Sequence, residues 1–116
     1  MSVVIYHNPK CSKSRETLAL LTQQGIAPQV IDYLQQAPSI PELKQLYQQL
    51  GLSEVRGMMR CKDDLYHELQ LGDHQLSDDA LFTALAQHPK LLERPIVVCR
   101  GQARLGRPPE QVLEIL

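Results

Sequence analysis

The apolar positions of the chain fall into blocks whose spacing changes along its length. Val3-Val4-Ile5 is a short continuous apolar run and predicts a buried strand. Thr17, Leu18 and Leu21 then recur at helical spacing up to Gly25, which predicts a helix with a glycine stop. Gly25-Ile26-Ala27-Pro28 breaks the chain, and Gln29-Val30-Ile31-Asp32-Tyr33 predicts a second strand. Strand, helix and strand in so short a stretch form a βαβ unit, whose crossover makes the two strands parallel.

The middle of the chain is patterned for helices. Ser39 and Glu42 have capping-box spacing, and Leu43, Leu46, Tyr47 and Leu50 follow on one face before Gly51. Ser53 is placed to cap a short helix burying Val55, Met58 and Met59 and ending near Arg60. Asp63 to Leu69 reads as another short helix or a turn. Ser77 caps a helix with Asp78 and Asp79 in its first turn. Leu76 and Leu81 flank that cap with hydrophobic-staple spacing, Leu85 continues the face, and His88-Pro89 ends it. The last third returns to period two. Ile96-Val97-Val98, a turn at Arg100-Gly101, and alternating Ala103 and Leu105 predict an antiparallel hairpin. Pro108 and Pro109 open a final helix with Val112, Leu113 and Leu116 on its apolar face. The order βαβ, helical insertion (about residues 39–89), ββα predicts an α/β, thioredoxin-like fold: a mixed four-stranded sheet in a single domain spanning residues 1–116. In that fold Pro95, after Arg94, stands where a cis proline commonly faces the site.

Composition narrows the function. At 116 residues one domain with one real core is expected. A net charge of −1, few aromatics and no Trp argue against a nucleic-acid surface. No apolar run is long enough to span a membrane, and no signal peptide is visible at the N-terminus, so a reducing cytosol and free thiols are expected. The three cysteines form neither a CxxC pair nor a disulfide framework, and His67, His74 and His88 lack metal-ligand spacing, so no metal is expected.

The chemistry gathers at Tyr6-His7-Asn8-Pro9-Lys10-Cys11-Ser12-Lys13-Ser14-Arg15. Cys11 lies between a strand and a helix, where orphan backbone N–H groups favour negative charge, with Lys10, Lys13, Arg15 and His7 nearby. In such surroundings a thiol pKa can drop from about 8.5 to roughly 3.5–7.5. Cys11 is therefore a candidate nucleophile; the alternative is an inert, half-buried small side chain. Arg94 and Arg107, each followed by proline at a strand boundary, can project at one edge of the hairpin.

With these residues in place, the chain resembles the glutathione- and glutaredoxin-dependent arsenate reductases of the ArsC family, related to the Spx regulators. The resemblance rests on Ile5–Arg15, Arg60, His88-Pro89, Glu93-Arg94-Pro95-Ile96-Val97-Val98 and Leu105-Gly106-Arg107-Pro108. It is nearest to a short bacterial branch with Arg-Pro-Pro-Glu before the last helix, without the C-terminal extension of better-known members. It implies that Cys11 attacks arsenate, that His7 helps keep the thiol ionised, and that Ser14 places a hydroxyl near the sulfur. It also implies that Arg60, Arg94 and Arg107 surround the oxyanion. Glutathione would be a co-substrate, glutaredoxin the protein partner, and no cofactor would be tightly bound. An influence of His7 through charge requires a protonated imidazole. Cys61, beside Arg60, is a candidate internal resolving thiol. Two other readings stay open: an Spx-like regulator binding RNA polymerase, although Cys11-Ser12-Lys13-Ser14 lacks the second thiol of a C-x-x-C switch, and a monothiol glutathione-dependent oxidoreductase acting on another substrate. A C-x₅-R phosphatase is excluded, because Cys11 to Arg15 is C-x₃-R.

Overall fold

The computed structural model describes residues 2–116, and the chain divides into two compact units. One comprises the residues up to Gln36 together with Arg94–Leu116; the other is Ala37–Glu93.

The first unit is built on a four-stranded sheet in the order β2-β1-β3-β4. Strands β1 (Val3–His7) and β2 (Gln29–Asp32) are parallel, and β1 pairs antiparallel with β3 (Ile96–Cys99), which pairs antiparallel with β4 (Gln102–Leu105). Helix α1 (Ser12–Gln23) makes the crossover between the parallel strands. The pleat sends Val3 and Ile5 to the face that also carries Val97 and Cys99. There they pack with Leu21 of α1 and with Val112 and Ile115 of a terminal 3-10 helix, Pro109–Ile115. Each such large aliphatic side chain contributes about 1.5–3 kcal/mol on leaving water. The hairpin turn puts Arg100 and Gly101 at φ 55° and 77°, the paired left-handed conformation of a two-residue turn. At the end of α1, Gly25 (φ 75°) donates to the Thr22 carbonyl and Ile26 to the Leu21 carbonyl, and Ile26 packs against the core. That closes the helix as a Schellman motif.

The second strand ends one residue earlier than its apolar pattern suggests. The Asp32 side chain accepts from the Leu34 N–H at 3.1 Å and its carbonyl from the Gln35 N–H at 3.0 Å, so the backbone turns at Asp32. The last helix differs more. Its buried residues are Pro109, Val112 and Ile115, whereas Leu113 is exposed. Three residues per turn align positions 109, 112 and 115, while a 3.6-residue period would have favoured Leu113 and Leu116.

The second unit is helical: α2 (Ile40–Leu50), a 3-10 turn (Val55–Met58), α3 (Asp64–Glu68), α4 (Asp78–Gln87) and a second 3-10 turn (Pro89–Leu91). The α2 start is a full capping box, with the Ser39 hydroxyl accepting from the Glu42 N–H at 3.3 Å and the Glu42 carboxylate from the Ser39 N–H at 3.1 Å. Gly51 closes α2 in the left-handed conformation (φ 68°). Ser77 caps α4 and Asp63 caps α3. The turn at Val55 is capped by neither Ser53 nor a side-chain bond; its N-cap is Glu54. Leu43 and Leu46 of α2 are buried, as are Leu81, Phe82 and Leu85 of α4, and the Tyr47 and Phe82 rings meet edge-on at 5.7 Å. Met59 bridges to Leu92, the Arg60 N–H donates to the Leu91 carbonyl at 2.7 Å, and the Glu93 N–H donates to the Met58 carbonyl at 2.9 Å. Arg56 straps the loop after α3, donating to the Leu71 and Asp73 carbonyls at 3.0 and 2.8 Å. Among the described residues no helix is long and apolar enough to cross a membrane.

Candidate active site around Cys11

The loop between β1 and α1 is shaped by Asn8-Pro9. The Asn8 carbonyl accepts from the Cys11 N–H at 3.0 Å, closing a β-turn with proline at its second position, and the Asn8 side chain accepts from the Lys10 N–H at 3.0 Å. Both devices suit those residue types. They deliver Cys11 as the N-cap of α1, in extended conformation (φ −96°, ψ 124°), with its carbonyl accepting the first helical bond from Arg15. The N-cap is where a serine or aspartate would accept from orphan N–H groups. The thiol makes no cap hydrogen bond of its own, yet the Ser14 and Lys13 N–H groups face the sulfur and favour its thiolate.

The balance of forces on the sulfur is legible. Burial pushes the Cys11 thiol up, and Cys11 is only 8 % exposed. The Ser14 N–H, the Arg94 guanidinium by hydrogen bond and charge, and the Lys13 N–H outweigh burial, and the net shift is downward. Arg107 adds a second guanidinium, with its Nη2 at 3.7 Å from the Cys11 Sγ. Its Nε donates to the Arg94 carbonyl at 2.8 Å, so the two arginines are tied together at the sulfur. The Arg94–Pro95 peptide is cis, as the fold expectation required, and the Arg107–Pro108 peptide is cis as well.

Gly106 permits this arrangement. A Cβ there would stand 2.6 Å from the Pro95 Cγ and would also collide with the Thr17 hydroxyl, and the Gly106 N–H donates to the Pro95 carbonyl at 2.9 Å. The end of β4 therefore approaches α1 and Pro95 as closely as a backbone can, one residue before Arg107. Gly106→Ala is expected to cost about 1–3 kcal/mol as an overpacked site, seen as a melting temperature lowered by about 4–8 °C per kcal/mol. A melting curve superimposable on that of the native protein would refute the close approach.

His7 and Ser14 are brought together, but not in the way the sequence suggests. Ser14 is fully buried, and its hydroxyl lies 2.6 Å from the His7 Nδ1 while accepting from the Asn8 N–H at 3.0 Å. The hydroxyl is thus spent on the loop, and what Ser14 turns toward the sulfur is its backbone N–H. The His7 pKa is lowered: burial outweighs the opposing Asp32 charge, and Arg15 adds to the depression. Burial thus disfavours the imidazolium that an influence of His7 through charge requires, and the ring holds Ser14 and the loop instead. Arg60 belongs to the helical unit, where it pairs with Asp63 at 3.3 Å and with Glu93 at 4.0 Å. Cys61 belongs there too, its sulfur against the Arg56 and Met59 carbonyls at 3.5 and 3.6 Å. Cys99 is fully buried in β3. Asn8 and Gly106 carry positioning roles that the sequence signals only weakly, as an Asn-Pro turn pair and a glycine after a strand.

A mixed four-stranded sheet with a helical crossover, and a buried cysteine at the start of the first helix beside two arginines, is the architecture of a thioredoxin-fold protein. The ArsC family model matches residues 6–115, and the chain belongs to the ArsC family. It is 55 % identical to an arsenate reductase of Haemophilus influenzae over the full length of both chains. It is also 55 % identical to the uncharacterized protein YfgD of Escherichia coli, over 98 % of this chain and 96 % of that one. Among solved structures, an arsenate reductase from Vibrio cholerae superimposes with a TM-score of 0.99 at 81 % identity, covering 100 % of this chain and 98 % of the other.

Proposed function

We propose that the protein is an arsenate reductase in which the Cys11 thiolate is the nucleophile, glutathione the co-substrate and glutaredoxin the partner. The observation that carries this reading is the pairing of two opposite devices at one atom. Helix-start N–H groups and Arg94 shift the Cys11 thiol toward its thiolate, and its Sγ lies 3.7 Å from a second guanidinium, that of Arg107. A thiolate and a tetrahedral oxyanion repel each other, and the forked guanidinium offsets that repulsion while donating parallel hydrogen bonds. The family membership and the names of the relatives support the same substrate.

The Cys11 thiolate displaces one hydroxyl from arsenic(V), which takes a proton and leaves as water, and a sulfur–arsenic bond forms. A glutathione thiolate then attacks the Cys11 sulfur. The new S–S bond forms as the S–As bond breaks, and arsenic keeps the electron pair and departs as arsenite. Glutaredoxin attacks the glutathione sulfur of the mixed disulfide and returns Cys11 as a thiolate. Arg94 and Arg107 hold the oxyanion, and Arg60 is assigned a share by the family resemblance. The scheme requires no tightly bound cofactor, and its free thiols suit a reducing cytosol. The Spx-like reading has less support, because the position of a second switch thiol is filled by buried, hydrogen-bonded Ser14.

Intact-mass measurement tests the scheme. With arsenate and glutathione present, Cys11 is expected to gain one glutathione, and added glutaredoxin removes it. Equal glutathionylation without arsenate would instead favour a general monothiol oxidoreductase.

A further inference from the structure

Thr17 stands between the helix that carries Cys11 and the hairpin end that carries the two arginines. The buried residues of α1 are Ser14, Thr17 and Leu21, spaced along one helix face. Leu21 packs in the core with Val3, Ile5 and Val97, and Ser14 turns its N–H to the Cys11 sulfur. Thr17 lies between these two and is fully buried, yet it carries a hydroxyl.

That hydroxyl is anchored. It donates to the Lys13 carbonyl at 2.8 Å, one turn back toward the sulfur. The bond fixes the rotamer of a β-branched side chain, so the oxygen has one place. Its neighbour across the gap is Gly106, where an added Cβ would collide with the Thr17 Oγ1 and stand 2.6 Å from the Pro95 Cγ. The gap between α1 and the hairpin end therefore holds an oxygen on one side and a bare Cα on the other.

The arginines hang on that hairpin end. Pro95 follows Arg94, and Gly106 precedes Arg107. The Gly106 N–H donates to the Pro95 carbonyl at 2.9 Å, and the Arg107 Nε donates to the Arg94 carbonyl at 2.8 Å. Residues 94–95 and 106–107 thus continue the ladder that pairs Ile96 with Leu105, and they are tied as one rung. Arg94 hydrogen-bonds the Cys11 sulfur, and the Arg107 Nη2 lies 3.7 Å from it. Any retreat of the rung from α1 carries both guanidinium groups away from the thiol.

We propose that Thr17 is a positioning residue of the active site: its anchored hydroxyl sets the distance between the start of α1, which carries Cys11, and the rung that carries Arg94 and Arg107. The inference rests on the reading of Cys11 as the nucleophile and adds to it what holds the arginines against the sulfur. Valine keeps the branching of threonine but not the hydroxyl. Its methyl cannot bond the Lys13 carbonyl, and it seeks about 3.5–4.0 Å from a neighbouring carbon, more than an oxygen does. Thr17→Val therefore presses the rung outward, whereas Thr17→Ser leaves the oxygen where it is.

The pH midpoint of Cys11 alkylation by iodoacetamide tests this on the thiol itself. Thr17→Val is expected to raise the midpoint by about half a unit or more, part of the roughly 1–3 units that a cation within about 4–6 Å supplies. Thr17→Ser retains the native midpoint, although the lost methyl lowers its melting temperature. Gly106→Ala fills the gap from the other wall and raises the midpoint as Thr17→Val does, and it carries the test if Thr17→Val does not fold. In an Arg94→Ala background Thr17→Val adds little, because the displaced charge is already gone. A native midpoint in a folded Thr17→Val or Gly106→Ala protein, an equal rise in Thr17→Ser, or shifts that add in full in the Arg94→Ala background would each overturn the proposal. Arsenate takes no part in these readings. The predicted midpoints in a protein that does not turn over arsenate would retain the role of Thr17 and discard arsenate as the substrate.

Discussion

Replacing Cys11 with serine is expected to lower arsenate reduction by about a thousandfold or more, to the level of glutathione alone, as loss of a nucleophile does elsewhere. The fold has no reason to fail. Serine is a favoured N-cap, so the Asn8–Cys11 turn and the start of α1 keep their bonds, and the Ser14 and Lys13 N–H groups gain a hydroxyl acceptor. What disappears is a titrating sulfur. The folded pKa of Cys11 lies below its ordinary value, so ionisation contributes stability that is fully present above the unfolded value of about 8.5 and is lost as pH falls through the lowered folded value. Thermal melts of the native protein and Cys11→Ser across pH 5 to 9 are therefore expected to diverge in that window. The native protein gains relative to the variant as pH rises, and then the difference levels off. A difference constant with pH would show that the thiol is not shifted.

The second large effect is expected at Arg94. Its guanidinium both hydrogen-bonds the Cys11 sulfur and supplies a charge that lowers the thiol pKa, and its Nε is buried without a hydrogen-bond partner. Arg94→Ala removes the hydrogen bond and the charge together while the Ser14 and Lys13 N–H groups remain. The rate of Cys11 alkylation by iodoacetamide is then expected to show its midpoint at higher pH. The kcat/KM for arsenate at neutral pH is expected to fall by about 10²–10³, the usual loss for one preorganised donor. Part of the loss returns as pH is raised, because alkaline solution restores the thiolate but not the fork around the oxyanion. Arg94→Lys keeps a charge without the planar fork and should fall between the two. An alkylation midpoint unchanged in Arg94→Ala would remove Arg94 from the control of the sulfur.

These two expectations use residues that the sequence already exposes, because their signals are local. A glycine stop, a capping box and a cysteine between a strand and a helix are each written within a few residues. Ser39–Glu42, Gly51, Ser77, the Arg100-Gly101 turn and Cys11 all stand where those signals put them. The features that sequence reading misses depend on distant parts of the chain. Arg56 finds its acceptors beyond α3, Gly106 is demanded by Thr17 and Pro95, and Ser14 spends its hydroxyl on His7. The terminal segment illustrates a narrower failure: Pro-Pro announces a helix start but not whether the turn that follows has 3.6 residues or three. The downward shift of the His7 pKa is likewise set by burial, which the residue's own neighbours in sequence do not reveal.

The central claim is that the Cys11 thiolate transfers two electrons to arsenate, and the stoichiometry of the reaction tests it most directly. Arsenite and glutathione disulfide are measured together in the presence of glutathione and glutaredoxin, with Cys11→Ser beside the native protein. One arsenite for each glutathione disulfide, formed only by the native protein, is the predicted result. Arsenite formation no faster than with Cys11→Ser, while Cys11 still alkylates as a thiol of lowered pKa, would contradict it.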